Sequence, residues 1–330
     1  MYTDEDLESA VQQGVFNRQA VERFRGMVEQ RRATPHVDEE SFRLLTGFND
    51  IFVVIACTVV LVSLWMLMSG DIVPGLAVAA ASWGLSEYFV RRRRMALPAV
   101  ALLISYVAGL GHVLVFGALT AAEVRESDLY GSAGLLLMAL LVGLHWWRFR
   151  VPVTIAALTA TVMGFLLSLV VEYWPESWLW SLFLLAGVAT FAFAMWWDLS
   201  DRQRLSYRSD VAFWLHLLSA PLIVHPLFMG VQMVGESADS LASWLVVGIY
   251  LLLVWLSLVI DRRAFMVSSL AYVIFAFYTL FEGVYQSSEA GYAVVGLLLG
   301  SALLLLSAWW QVARRWSLQW LPGHVQARLP

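Results

Sequence analysis

The chain is built from apolar runs of roughly 17 to 25 residues, each separated from the next by a short polar connection. A helix of that length crosses the ~30 Å hydrocarbon core of a bilayer. Of the 330 residues, 60% are hydrophobic and 14% are charged, whereas about a quarter of the residues in a typical soluble domain are charged. The sequence therefore predicts an all-α fold, a polytopic transmembrane helical bundle.

Ten spanning helices, arranged as hairpins, are predicted from these runs. They are Ile51 to Met68, Ile72 to Val90, Met95 to Leu119, Gly131 to Trp147, Val151 to Tyr173, Trp178 to Trp197, Val211 to Val234, Leu241 to Ile260, Ala264 to Phe281 and Gly291 to Trp310. The chain then has three parts: residues 1–50 form a small helical hairpin and lead-in, residues 51–310 the transmembrane domain, and residues 311–330 an interfacial tail.

The charges alternate along the chain in a way that predicts orientation. Arginine clusters occupy every second connection, and carboxylates dominate the others. Because cytoplasmic loops of membrane proteins carry an excess of basic residues, we expect the arginine turns and both termini in the cytoplasm. Membrane lipids are the predicted surroundings of the helices.

The polar N-terminal segment reads as two short amphipathic helices. Gly14 is the expected stop of the first, Asn17 the expected cap of the second, and Phe24, Met27 and Val28 extend the second helix's apolar stripe. A pair this small buries too little apolar surface to be stable alone. Residues 1–35 are therefore expected to dock on a second copy of the chain in a homo-oligomer, on the membrane domain or on a protein partner.

Ionisable side chains inside spanning helices are costly and are candidate functional groups. His112 lies 18 residues past Arg94 and His225 lies 17 residues past Arg208, so both imidazoles are expected at similar depth. If their helices are neighbours, the pair could ligate haem iron, bind a divalent metal or pass protons. The alternative is that each imidazole hydrogen-bonds a backbone carbonyl or a tyrosine hydroxyl of a neighbouring helix and only holds the bundle together.

A transport role predicts a hydrated cavity in the bundle. Its lining is predicted to include His112, His225, His216, Tyr106 and Gln232.

Three further polar residues have simpler predicted roles. Asp210 is expected to be a helix-start charge after a Ser209 cap, or a gate residue on the cytoplasmic side. Glu87 is expected to pair with Arg91 or Arg94. His145, beside a tryptophan pair, is expected at the membrane interface.

Several function classes lack their sequence signatures. The chain contains no lysine, and neither a phosphate-binding glycine loop nor the zinc-protease or serine-hydrolase motifs occur. No basic groove with interleaved aromatic residues is present, so nucleic-acid binding is not expected. Cys57 is the lone cysteine and excludes an intrachain disulfide.

The overall arrangement is distinctive: a short helical pair at Leu7 to Arg32, hairpins divided by arginine turns, and the segments Ser209 to Pro226 and Asp261 to Leu280. It resembles a group of uncharacterised bacterial polytopic membrane proteins, and this resemblance implies a bacterial cytoplasmic (inner) membrane as the location. That resemblance implies the architecture and supplies no activity, cofactor or site residue.

The sequence favours a non-enzymatic protein that transports or binds a small solute, lipid or ion. A scaffold or assembly subunit of a larger membrane complex is the alternative. A haem- or quinone-linked redox protein that uses His112 and His225 is the third possibility.

Overall fold

The computed structural model describes residues 9–11, 13–23, 48–122, 129–201, 206–234, 240–285, 289–326 and 329. All regular secondary structure in these ranges is helical, as the sequence predicts. The chain divides into two compact units, residues 1–42 and residues 43–330.

The N-terminal unit contains the predicted break between two helical stretches. Gly14 adopts a φ of +74°, a left-handed conformation that glycine tolerates because it has no Cβ. The side-chain carbonyl of Asn17 accepts a hydrogen bond of 2.7 Å from the backbone N–H of Ala20 and so caps the helix at 18–23. Both predictions are confirmed, whereas Phe24, Met27 and Val28 lie outside the described residues.

The larger unit is a succession of helices that we number in chain order. They are α1 (Phe48–Leu67), α2 (Val73–Ser86), α3 (Ala96–Ala122), α4 (Leu129–Phe149), α5 (Pro152–Val170), α6 (Leu179–Ser200), α7 (Tyr207–Val234), α8 (Ser240–Ile260), α9 (Ala264–Tyr285), α10 (Glu289–Ala308), α11 (Trp310–Gln319) and α12 (Gly323–Gln326). A π-helical turn, Glu87–Arg92, continues α2, and two 3-10 turns, Val171–Tyr173 and Glu176–Trp178, join α5 to α6.

Six of these helices, α1 and α3 to α7, are long and apolar enough to cross a membrane. The number becomes seven if α10 and α11, which meet at an angle of 80°, form one broken span. The apolar stretches of α8 and α9, Trp244–Ile260 and Ala264–Ile274, are shorter than these six candidate spans. Each of the ten predicted segments coincides with one of α1 to α10, but a count of ten spans stays a prediction.

Helices that follow one another pack as hairpins, with the closest packing in α2/α3, α4/α5, α6/α7 and α8/α9. Three of the tight turns contain a non-glycine residue in the left-handed conformation: Arg94 (φ 54°), Arg150 (φ 56°) and Asp261 (φ 55°). A left-handed residue reverses the chain directly after a helix. Each of the three lies in a turn predicted to be basic.

A close backbone contact joins α6 to α7. Pro226 has no backbone N–H, so the carbonyl of Leu222 lacks its usual helical donor four residues on. A methyl group added at Gly187 would lie 2.7 Å from that carbonyl oxygen. The glycine therefore lets α6 pack directly on the α7 backbone, as small residues do in membrane helix pairs.

Polar contacts bring the basic turns together at one end of the helices. The pairs are Glu87 with Arg148, Asp198 with Arg262, and Asp261 with Arg314. Trp146 and Trp197, which precede two of these turns, pack in a single apolar cluster. The charge alternation in the sequence thus corresponds to a spatial grouping, and we call this the basic end of the bundle.

Candidate functional site

A polar cavity of about 560 Å³ opens at the basic end. We call it the basic pocket. Its lining comprises Gly84, Glu87, Tyr88, Arg91, Arg92 and Arg148. The first five of these residues come from the end of α2 and its π-helical turn, and the sixth comes from the end of α4.

The π-helical turn places four of the lining side chains. Within it the backbone N–H of Arg93 donates to the carbonyl of Tyr88 over 3.0 Å, a bond that spans five residues instead of four. Such widened turns are rare and are often found at functional sites. Here the turn brings Glu87 and Tyr88, and the arginines four residues after them, to one cavity.

Glu87 is held by a two-pronged ion pair with Arg148. The Nε and Nη2 atoms of Arg148 donate to Oε1 and Oε2 of Glu87 over 2.7 and 2.8 Å, which is the strong geometry for a guanidinium and a carboxylate. Arg91 Nη1 lies 3.4 Å from Oε2. The predicted Glu87–Arg91 pair is confirmed, but the stronger partner was missed.

The charges of the lining do not cancel. Three arginines face one glutamate, which leaves a formal charge of +2. Both oxygens of Glu87 are already engaged by Arg148, and Arg92 forms no ion pair with any residue that the structure describes. The basic pocket therefore carries surplus positive charge.

Tyr88 and Gly84 shape the wall of the pocket. Arg93 lies 5.6 Å from the centre of the Tyr88 ring, and its Nη2 donates to the Tyr88 hydroxyl oxygen over 3.2 Å. This contact orients the ring, and the hydroxyl proton remains available to an acceptor. At Gly84 an added Cβ would meet no atom within 4 Å, so the wall is open there.

An aromatic cluster lies one helical turn from the pocket, where α2, α3 and α4 meet. The His145 ring is 4.6 Å from Phe149, 5.3 Å from Tyr106 and 5.7 Å from Trp83, measured between centroids. Its Nδ1 lies 3.4 Å from the hydroxyl of Thr154. The side chain of His145 is buried and packs α4 against α2, and its position at the membrane interface stays a prediction.

The predicted pair of histidines has different neighbours. The ring of His112 lies 4.5 Å from that of Trp65 and 4.5 Å from that of Phe116. His225 contacts the hydroxyl of Tyr272 on α9 through its Nδ1, the tyrosine contact that the alternative interpretation predicts. None of the described contacts joins the two imidazoles, so the structure gives no support to a site shared between them.

Tyr106, another predicted lining residue, is buried instead of lining a described cavity. Its hydroxyl donates to the carbonyl of Leu141 over 3.4 Å. The tyrosine therefore links α3 to α4.

His216 belongs to a buried network that sequence reasoning missed. The guanidinium of Arg262 donates to Asp198 through Nε and Nη2, over 3.2 and 2.7 Å. His216 Nε2 lies 3.3 Å from the same carboxylate. One sequence feature could have indicated this network. Asp198 is an acidic residue near the end of α6, just before a turn that is rich in arginine.

Asp210 and Gln232 are the remaining predicted residues. Asp210 is in the first turn of α7, as expected, within electrostatic reach of Arg262. The predicted cap is wrong: α7 begins earlier, and Ser206 accepts the N–H of Arg208 over 3.3 Å while Ser209 is already helical. Gln232 lies in α7, but its side chain is outside the described part of the structure.

In the described ranges, no group of three or more His, Cys, Asp or Glu side chains is arranged to hold a metal ion. Two other cavities accompany the basic pocket. One, of about 510 Å³, lies between α3, α4 and α5 near Ser168 and Glu172, and one, of about 410 Å³, lies between α8 and α11 beside Trp255 and Trp316. None of the predicted binding residues lines any of the three.

Comparison with protein families, with curated proteins and with solved structures gives no match for this chain. The resemblance to the bacterial membrane group stays a prediction, and a function has to be inferred from the geometry of the basic pocket.

Proposed function

We propose that the chain is a multi-pass protein of a bacterial inner membrane, with ten spans and with both termini in the cytoplasm. The grouping of the basic turns at one end supports this proposal, since basic connections of membrane proteins stay in the cytoplasm. The basic pocket then opens at the level of the cytoplasmic lipid head groups.

We propose further that the protein is non-enzymatic and that the basic pocket binds a small anionic group. The observation that carries the proposal is the surplus positive charge in an open cavity whose carboxylate is already paired. Arg92 and the remaining donors of Arg91 are the binding groups. A guanidinium presents a planar fork of donors that matches phosphate and carboxylate oxygens.

The position of the pocket strengthens such binding. A charge pair near a protein surface interacts several-fold more strongly than in bulk water, because the effective dielectric constant is lower. The Tyr88 hydroxyl, oriented by Arg93, adds a neutral donor on one wall. Binding is proposed in preference to passage through the bundle, because the lining of the basic pocket comes only from the ends of α2 and α4.

The test is the affinity of the purified full-length protein in detergent for inorganic phosphate, measured by titration calorimetry. The double substitution Arg91→Gln with Arg92→Gln should weaken binding by about tenfold or more, since a hydrogen bond to a charged group contributes about 1.5–3 kcal/mol. Arg315→Gln is the matched control, because Arg315 is an exposed arginine on α11 outside the pocket. Equal affinities of the double variant and the wild type would disprove the proposal.

A further inference from the structure

An exposed stripe of small and apolar residues begins at the basic pocket and runs along α2. It runs from Gly84 through Ala80 and Leu76 to Val73, with spacings of four, four and three residues, so these positions share one face of the helix. All four are exposed. The two residues nearest the pocket are the smallest, which leaves space beside the helix directly below the arginines.

A second exposed apolar stripe begins at the basic pocket and runs along α4. It descends from Arg148 through Leu144 and Leu140 to Leu137, again at helical spacing. These leucines expose 46%, 63% and 50% of their surface. The stripe therefore offers a continuous hydrocarbon surface that begins at a pocket arginine.

The two stripes start next to each other. α2 and α4 are joined at the basic end by the Glu87–Arg148 ion pair. They are joined again by the contact of Trp83 with Phe149, whose ring centroids are 5.0 Å apart. A molecule with its head in the pocket would thus have apolar surfaces of both helices below it.

We infer that the ligand of the basic pocket is a membrane lipid with an anionic phosphate head group, and this inference rests on the function proposed above. The phosphate lies against Arg91 and Arg92, and the acyl chains follow the α2 and α4 stripes. Basic pockets between membrane helices on the cytoplasmic side are suited to such head groups. A free phosphate ion shares the head-group chemistry but makes no use of the stripes.

The selectivity should come from the head group. Acyl chains gain little from leaving other lipid for an apolar helix surface, because both surroundings are hydrocarbon. The chains therefore fix where the lipid sits, and the charges decide which lipid is held. A zwitterionic lipid brings its own cation next to the arginines and should bind less well.

The experiment is native mass spectrometry of the full chain in detergent, with dioleoyl phosphatidylglycerol, dioleoyl phosphatidylcholine or inorganic phosphate added. Phosphatidylglycerol should bind about tenfold more tightly than phosphatidylcholine, because the choline cation of phosphatidylcholine is repelled by the pocket arginines. The Arg91→Gln, Arg92→Gln double variant should lose this preference. Equal retention of the two lipids by the wild type would overturn the inference.

A second variant separates the lipid from the free ion. Ala80→Trp obstructs the α2 stripe one helical turn beyond the pocket lining and retains every charge, so it should weaken phosphatidylglycerol binding about fivefold or more while phosphate affinity is unchanged. Ala302→Trp on α10 is the matched control, since Ala302 is also an exposed alanine of a helix. Undiminished phosphatidylglycerol binding by Ala80→Trp would count against the inference.

The two proposals fail in different ways. If phosphate binds through Arg91 and Arg92 but the lipids are not distinguished, anion binding stands and the lipid assignment is wrong. If neither phosphate nor phosphatidylglycerol depends on these arginines, both are wrong.

Discussion

Two arginine–carboxylate pairs hold the basic end of the bundle, and they share their geometry but not their surroundings. Arg148 with Glu87 and Arg262 with Asp198 are both two-pronged, and the shortest N–O distance is 2.7 Å in each. The side chains of the first pair expose 32% and 33% of their surface, and those of the second 3% and 0%. The same kind of ion pair is therefore partly exposed in the first half of the chain and buried in the second.

The surroundings decide what each pair can do. Around Glu87, further arginines and a cavity leave charge for a ligand. Around Asp198, His216 approaches the same carboxylate and Phe191 packs on the imidazole, and the side chains of Asp198, His216 and Arg262 are all buried. Breaking a buried pair is costly because it leaves an isolated charge, whereas an exposed pair contributes little to stability. We interpret the buried Asp198 network as a contact that stabilises the helix bundle, and the exposed Glu87–Arg148 pair as part of a binding site.

The largest expected effect comes from Asp198→Ala, which leaves Arg262 buried without its carboxylate. Destabilisation of about 3–5 kcal/mol is expected, measured by thermal unfolding of the detergent-solubilised protein. The Asp198→Leu, Arg262→Leu double variant is the control. It should recover much of the loss because it removes both charges together. A double variant as unstable as Asp198→Ala would show that the pair is not the cause.

A smaller loss is expected from Gly187→Ala, which forces α6 away from α7. The new methyl group would lie 2.7 Å from the backbone of Leu222, and overpacking of this kind costs about 1–3 kcal/mol. Gly248→Ala, with no neighbour within 4 Å, should be neutral or slightly stabilising. Phosphate affinity should be unchanged in both variants, and a loss of affinity in Gly187→Ala would show that the two regions are coupled.

Glu87→Gln should have opposite effects on stability and on binding. It breaks the exposed Glu87–Arg148 pair at a cost of about 0–1 kcal/mol, but it raises the formal charge of the pocket lining by one. Phosphate should then bind more tightly in titration calorimetry. Weaker binding would mean that Glu87 is needed to position Arg148 and that surplus charge is not the controlling feature.

The smallest effect is expected from His225→Phe, which removes the contact with Tyr272. Side-chain hydrogen bonds between membrane helices contribute about 0.6 kcal/mol on average, so the unfolding midpoint should barely change. The absorption spectrum of the purified wild-type protein checks the haem alternative at the same time. A Soret band that disappears in His225→Phe would restore His225 as a haem ligand.

The helices could be predicted from the sequence because apolar length alone defines them. All ten predicted segments coincide with helices, and the local features at Gly14, Asn17 and Glu87 with Arg91 were predictable from residues no more than four apart. These features depend on helix geometry and capping, which a short window of sequence contains.

The partners of Glu87 and Asp198 could not be predicted in the same way. Arg148 is 61 residues from Glu87, and Arg262 is 64 residues from Asp198. Helices that are apolar on every side have no stripe that reveals which face packs against which neighbour. The arginine turns were therefore interpreted as orientation signals, and no local pattern around Arg262 indicated that its side chain is buried.

The left-handed residues at the hairpin tips have a consequence for how this chain is made. Glycine at Arg94, Arg150 or Asp261 would relieve a backbone cost of about 1–2 kcal/mol per residue. At two of the three tips it would also delete a positive charge that, in the proposed topology, holds the turn on the cytoplasmic side during membrane insertion. At Asp261 it would release the indole of Trp310, held at 2.7 Å. If the proposed topology holds, membrane insertion and final stability favour different residues at Arg94 and Arg150, and substitutions chosen there for stability alone would weaken the signal that orients the chain.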